Sequence, residues 1–322
     1  MLFFTTVRTP ARYSRLKRNE RPLQREKMHL IVNPAANRGR SGRTLGELSG
    51  ILKGRGVSPE WYITSSPGEA RSLAGSVPED EVVVAVGGDG TVHEVSSACI
   101  GTGRIMGILP TGSGNDYVKA FGFGRSFREA VEVLVSGRVR SVDAGEVNGV
   151  TFNNGLGIGF DAEVAEGVAV APAYLGATGR YLWAIGRLLV GFECHLARLT
   201  FREPDGEQTT VEAKTILVAA ALGTTYGARF RLAPHAKLDD SLFDVVWSQE
   251  IGRRDVLRIL PSALGDGLHR HEEINLKRTS HLTVELAEPV PAHVDGEMLA
   301  PTRRFEVKIL PSALKVIAPA YP

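Results

Sequence analysis

From Met28 onward, apolar positions fall into short runs separated by glycine-rich polar loops and by stretches with helical spacing. The run over 29–32 stops at Asn33-Pro34, where proline has no N–H to give a ladder, and predicts a first strand. Leu45, Leu48, Ile51 and Leu52 recur at helical spacing before Gly54 and Gly56, which predicts a helix over 41–53. A short strand over 61–63 is followed by a helix over 67–73, opened by Ser66 and Pro67. Residues 81–86 are nearly continuous valine, as strands buried on both faces of a parallel sheet are. A helix ending near Cys99, a buried strand over 105–109, a helix from Tyr117 and another over 127–135 complete the alternation. This order predicts a doubly wound α/β domain with a parallel sheet over 28–140.

Beyond about Arg138 the pattern changes to short segments rich in valine and threonine: 141–147, 150–158, 197–202, 210–219, 243–247, 282–286 and 305–309. These predict a second, β-rich sandwich domain over 141–312, interrupted by helical stretches over 181–190 and 253–260. The apolar segment 314–317 is read as a return of the chain, within 313–322, to the first domain.

The length of 322 residues suits two domains, and 43% apolar with 23% charged residues is ordinary for a globular protein. No apolar run reaches the roughly 20 residues a bilayer crossing needs, since Arg187 interrupts the best candidate over 181–192. Cys99 and Cys194 fit neither a disulfide framework nor a metal-binding pair, which points to a reducing cytoplasm. Residues 1–27 carry eight basic against two acidic residues, leaving thirty against thirty-four in the remainder. That balance argues against a nucleic-acid-binding body, and the leader reads as a disordered or non-native extension.

Three loops at predicted strand ends carry candidate chemistry. Gly87-Gly88-Asp89-Gly90-Thr91 joins three glycines, a carboxylate and a hydroxyl at a helix start, where backbone amides favour a phosphate. Asp89 beside a phosphate implies a cation such as Mg²⁺, although a glycine turn with an aspartate cap explains the pentapeptide alone equally well. Thr111-Gly112-Ser113-Gly114-Asn115-Asp116 repeats the arrangement after the next strand and tips the balance towards a nucleotide. The polar stretch 33–41 adds a third loop. A Walker-type phosphate loop is absent.

Together, Asn33-Pro34, the Gly-Gly-Asp-Gly-Thr loop with Glu94, and Leu109-Pro110-Thr111-Gly112-Ser113-Gly114-Asn115-Asp116 resemble the catalytic domain of the diacylglycerol kinase and sphingosine kinase family. The resemblance continues through Asn153-Asn154-Gly155-Leu156-Gly157-Ile158-Gly159-Phe160-Asp161, through 234–240 and through Val294-Asp295-Gly296-Glu297. It implies an ATP- and Mg²⁺-dependent lipid kinase, with ATP bound by the first domain and the β-sandwich helping to form the lipid site. By the same resemblance, Asp89 acts at the metal and triphosphate, and Gly88, Gly90, Thr91, Glu94, Gly112 and Ser113 join Asn33 and Thr64 around the nucleotide. Asn115 and Asp116 extend the polar network, and Glu297 is the general base. A second, structural Mg²⁺ would use Asp240 with carbonyls of Lys237 and Leu242, and Ser241 stands where the family commonly has glycine.

The implied partner is a lipid met at a membrane surface, diacylglycerol first, by a cytoplasmic, peripherally associating and in this family often dimeric enzyme. Kinases of NAD and phosphofructokinases share the first glycine loop, and a non-catalytic nucleotide or lipid binder would keep the fold. The histidines show no zinc-type spacing.

Overall fold

The computed structural model describes residues 27–123, 126–191, 193–202, 206–227, 230–265 and 268–320, apart from the side chains of residues 38, 40, 43 and 177. The basic leader thus lies outside the described residues except for Lys27.

The first unit runs β1 (Met28–Val32), α1 (Ala36–Gly54), β2 (Glu60–Ile63), α2 (Glu69–Ser76), β3 (Val82–Gly87), α3 (Asp89–Cys99), β4 (Ile105–Pro110), α4 (Asp116–Lys119) and α5 (Phe127–Ser136). Its four strands are parallel in the order β4-β3-β1-β2. The two-residue period of the strands divides the core. Leu30, Val32, Val84 and Val86 pack with Leu48 and Leu52 of α1 and Leu134 of α5 on one face. Ile31, Val83 and Ala85 meet Ala74 of α2 and Val95 of α3 on the other. Helix α1 begins inside the stretch read as a loop, at Ala36, ahead of its apolar period. Ser126 and Glu129 start α5 with a reciprocal capping box.

The second unit contains β5 (Arg138–Val147), β6 (Val150–Phe152), β7 (Gly155–Gly159), α6 (Phe160–Val170), α7 (Gly176–Leu188), β8 (His195–Arg202), β9 (Gln208–Thr215) and β10 (Leu217–Ala221). It continues with β11 (Phe243–Ser248), α8 (Arg253–Ala263), β12 (Ile274–Thr279), β13 (His281–Val294) and β14 (Glu297–Ala318). The long β13–β14 hairpin serves two layers. The end of β13 pairs β7 in a layer that continues through β10, β11 and β12, whereas its beginning pairs β8 and through it β9. Register breaks between Glu285 and Ala292, where Pro289 and Pro291 lack ladder donors, let the strand change layer. The layers meet face to face: Phe152 of β6 stacks on Phe243 of β11 at 5.8 Å, and Phe201 of β8 meets Trp247 of β11 at 5.3 Å. Mixed α/β architecture with a β-rich second half is as the sequence predicts, but α6 and β12 were not foreseen.

The end of β14 lies between β5 and the first unit: Lys315 and Val316 pair Ser141 and Arg140 of β5 antiparallel on one side and Ile105 and Met106 of β4 in parallel on the other. Both units therefore share one continuous ladder. Among the described residues no helix is long and apolar enough to cross a membrane.

Candidate active site

Parallel strands deliver their following loops to one edge, so Asn33, Thr64, the Gly87–Thr91 turn and the 111–116 loop gather at the carboxyl end of the sheet. The last two touch through glycine: a Cβ at Gly112 would stand 2.5 Å from the Cα of Gly88, so no side chain fits between them. Asn115, at φ 52°, closes the second loop on itself, its Oδ1 accepting from Gly112 N–H at 3.0 Å and its Nδ2 donating to the Gly112 carbonyl at 3.0 Å.

Asp89 ties the loops together. Its carboxylate accepts from the amides of Asn115 at 2.7 Å and Asp116 at 2.6 Å, placing it beside a second carboxylate. Burial first, and the Asp116 charge second, push the Asp89 carboxyl up to about 6 against the pull of those amides. Lys119 answers part of the charge, donating to Asp116 at 2.7 Å. Two carboxylates with surplus negative charge beside amide-lined loops fit Mg²⁺ shared with phosphate oxygens, the way this ion is commonly held. No cluster of three or more acidic, histidine or cysteine ligands occurs among the described residues, so phosphate and water would complete the coordination.

The second unit brings its own group to this edge. The β13–β14 turn consists of Asp295 and Gly296, with φ 53° and 94°, the left-handed pair that a two-residue hairpin requires. Asp295 is fastened by the amides of Asn153, Asn154 and Gly155, each at 2.9 Å, and by His93 of α3. The turn thereby holds Glu297 over the glycine loop: a Cβ at Gly90 would stand 3.7 Å from Glu297 Oε1. His293, just before the turn, accepts from Gly296 N–H at Nδ1, so its Nε2 carries the proton facing Asp161 at 3.2 Å.

A cavity of about 340 Å³ opens beside Asp89 and Asp116, passes Asp161 and His293, and runs into apolar walls from α6, α7 and α8, among them Val164, Ile185 and Ile259. Its far end is the core cluster of the second unit.

Residues 27–147 match the family description "Diacylglycerol kinase catalytic domain", and residues 154–318, just over half the chain, match "YegS C-terminal NAD kinase beta sandwich-like domain". The chain belongs to the diacylglycerol kinase family. A Mycobacterium tuberculosis diacylglycerol kinase is 26% identical over 92% of this chain and 96% of its own length. A Pseudomonas aeruginosa protein named "Probable lipid kinase YegS-like" is 32% identical over 74% of this chain and 76% of its own. A structure of a diacylglycerol kinase from Bacillus anthracis, 22% identical, superposes with a TM-score of 0.70 over 91% of this chain and 97% of that one, which speaks for the fold alone. Family membership makes this chain a kinase acting on a lipid.

Against that family frame, the predicted residues separate. Gly88, Asp89, Gly90, Gly112, Ser113, Asn115, Asp116 and Glu297 lie around one cleft, whereas Asn33, just after β1, accepts the Ala35 N–H at its Oδ1 at 3.1 Å, and Thr64, just after β2, donates to the Val32 carbonyl at 3.2 Å. Thr91 turns its side chain back beneath Gly87, so only its backbone faces the loop. Glu94, expected at the nucleotide, instead caps α2, accepting from the amides of Gly68 at 2.9 Å and Ala70 at 3.0 Å. The metal expected at Asp240, Lys237 and Leu242 does not fit the side chains present. One Asp240 oxygen accepts from Leu242 N–H at 3.2 Å, and the guanidinium of Arg278 pairs with the other, filling the cation's place. Ser241 makes the turn at φ 60°, anchored by Asp143, which accepts its N–H at 2.6 Å. His93 and His293 carried no sequence signal of their own, and Asp161 and Asp295 stood in the quoted motifs without a role, although an Asp-Gly pair between two apolar runs is a signal that could have found the turn at Asp295.

Proposed function

We propose that this chain transfers the γ-phosphate of ATP to a lipid hydroxyl in the presence of Mg²⁺, with diacylglycerol, giving phosphatidic acid, as the leading acceptor. The observation that carries this reading is the cavity, which joins a charged, amide-lined cleft to an apolar chamber in one continuous space. A phosphate donor suits one end and an acyl chain the other.

The amides around Gly88, Gly90 and Gly112 would hold phosphate oxygens, and Asp89 with Asp116 would hold the ion. Mg²⁺, when bound, neutralises charge developing on the triphosphate. Glu297 would take the proton of the acceptor hydroxyl while its oxygen attacks the γ-phosphorus, the bond to the bridging oxygen breaks, and ADP leaves. Asp161 and His293, on the wall between cleft and chamber, would face the polar head of the lipid.

The acceptor lives in a bilayer, and the helices around the chamber present apolar residues outward: Val170 at the end of α6, Tyr174 between α6 and α7, Leu182 in α7 and Val190 just after it. This face supports docking on a membrane with the chamber opening towards the lipid.

The test is Mg²⁺-dependent transfer of labelled γ-phosphate from ATP to a panel of dispersed lipids and to NAD, with Glu297→Ala alongside. Labelled phosphatidic acid from the parent, and a loss of about a thousandfold or more in the variant, is the expected result. Label on NAD alone would overturn it.

A further inference from the structure

Helix α3 begins at Asp89, and His93 follows four residues later, one turn along the same face. The His93 Nδ1 lies 2.8 Å from Asp295 Oδ2, with the two side chains 12% and 4% exposed. The remaining donors to Asp295 are backbone amides of 153–155, from the same unit as the turn, so His93 is the partner that reaches it from the nucleotide-binding unit. Two residues beyond Asp295 stands Glu297, against Gly90 of that same helix. One helix thus carries the carboxylate Asp89 at its start and, one turn on, the grip on the turn that aims Glu297.

We propose that His93 is a positioning residue which clasps the Asp295–Gly296 turn to α3 and so sets the distance between Glu297 and the phosphate site; this rests on the reading of Glu297 as proton acceptor. The clasp is local and directional. Asp295 would remain folded by its three amides without it, but the hairpin tip would lose its charged tie across the cleft. A rigid tip matters because a proton acceptor works only within hydrogen-bond reach of its proton.

The charged groups facing His93 are Asp295 and Glu297 from the turn and Arg71 from α2. Burial and Arg71 oppose the protonated ring, and Asp295 with Glu297 outweigh them, so His93 titrates above its ordinary value. The ring donates through Nδ1 in both states, so the contact persists while the charge beside Glu297 changes.

The experiment compares His93→Phe, His93→Asn and Glu297→Ala in the full chain, reading kcat, the KM for ATP, the melting temperature and the dependence of kcat on pH. His93→Phe should lower kcat at least about tenfold and leave the KM for ATP within about twofold. His93→Asn keeps an N–H donor and should recover kcat to within about threefold of the parent. The parent should show an inflection in kcat displaced upward from the ordinary histidine value that His93→Asn lacks. Parental kcat in His93→Phe would overturn the clasp, as would a loss that follows the melting temperature and is not rescued by asparagine. If Glu297→Ala stays active, the acceptor reading fails and the clasp with it. If Glu297→Ala is inactive while His93→Phe is intact, only the clasp is wrong.

Discussion

Asp89 shows how far a single residue can be read from its neighbours. Its two amide donors orient the carboxylate, and its repulsion with Asp116, answered in part by Lys119, is what the proposed cation would relieve. The sign of its pH dependence follows. Below about 6 the carboxyl is protonated and a metal must displace that proton; above it the site is charged and ready. Mg²⁺ affinity, measured by titration calorimetry with a non-hydrolysable ATP analogue, should therefore fall by up to about tenfold for each pH unit below 6 and level off above 7. The glycine loop announced Asp89 because the turn is packed too closely for side chains: a Cβ at Gly87 would strike that of Thr91. The pairing of His93 with Asp295 spans 202 positions, and no periodicity or spacing reports a contact of that kind.

At the scale of elements, β1, β3 and β4 were legible because their interiors are buried and read as apolar runs, valine above all in β3, whereas β2 at the sheet edge is short and half-exposed. Helix α6 was not legible. Asp161, Glu163 and Glu166 are spread among its alanines and valines without gathering into one polar face, so no helical period stands out. The repeated tetrapeptide Pro-Ser-Ala-Leu shows context deciding: at 261–264 it closes α8, and at 311–314 it forms a bulge in β14, with Ser312 at φ 51° donating its N–H to Asp143. The contact between the two glycine loops gives a sharper prediction. Gly112→Ala places a methyl against Gly88 and should destabilise the protein by about 1–3 kcal/mol in denaturant titration. Transfer activity should fall at least about tenfold, because the loops that carry Asp89 and Asp116 are forced apart.

For the whole molecule, the proposed membrane face separates binding from chemistry. Replacing Tyr174 and Val190 together by serine should weaken sedimentation with diacylglycerol-containing vesicles by about tenfold or more and leave transfer to a short-chain, dispersed acceptor unchanged. Equal loss on both acceptors would place these residues in the chamber's support instead. Ending the chain after residue 312 should remove the buried Leu314, Val316 and Ile317 and leave the first unit without a cooperative thermal transition in calorimetry.

The crossing of β14 to β4 also sets an order of events during synthesis. Residues 315 and 316 leave the ribosome about 210 positions after their partners 105 and 106, and until then β4 presents an open edge to every other nascent chain nearby. The first unit thus emerges first but is finished last, so a translation pause or an early stop late in the message would strand a nearly complete sheet with its sticky border exposed. For this protein, quality control by chaperones would have to watch the last few residues of β14 more closely than the first hundred.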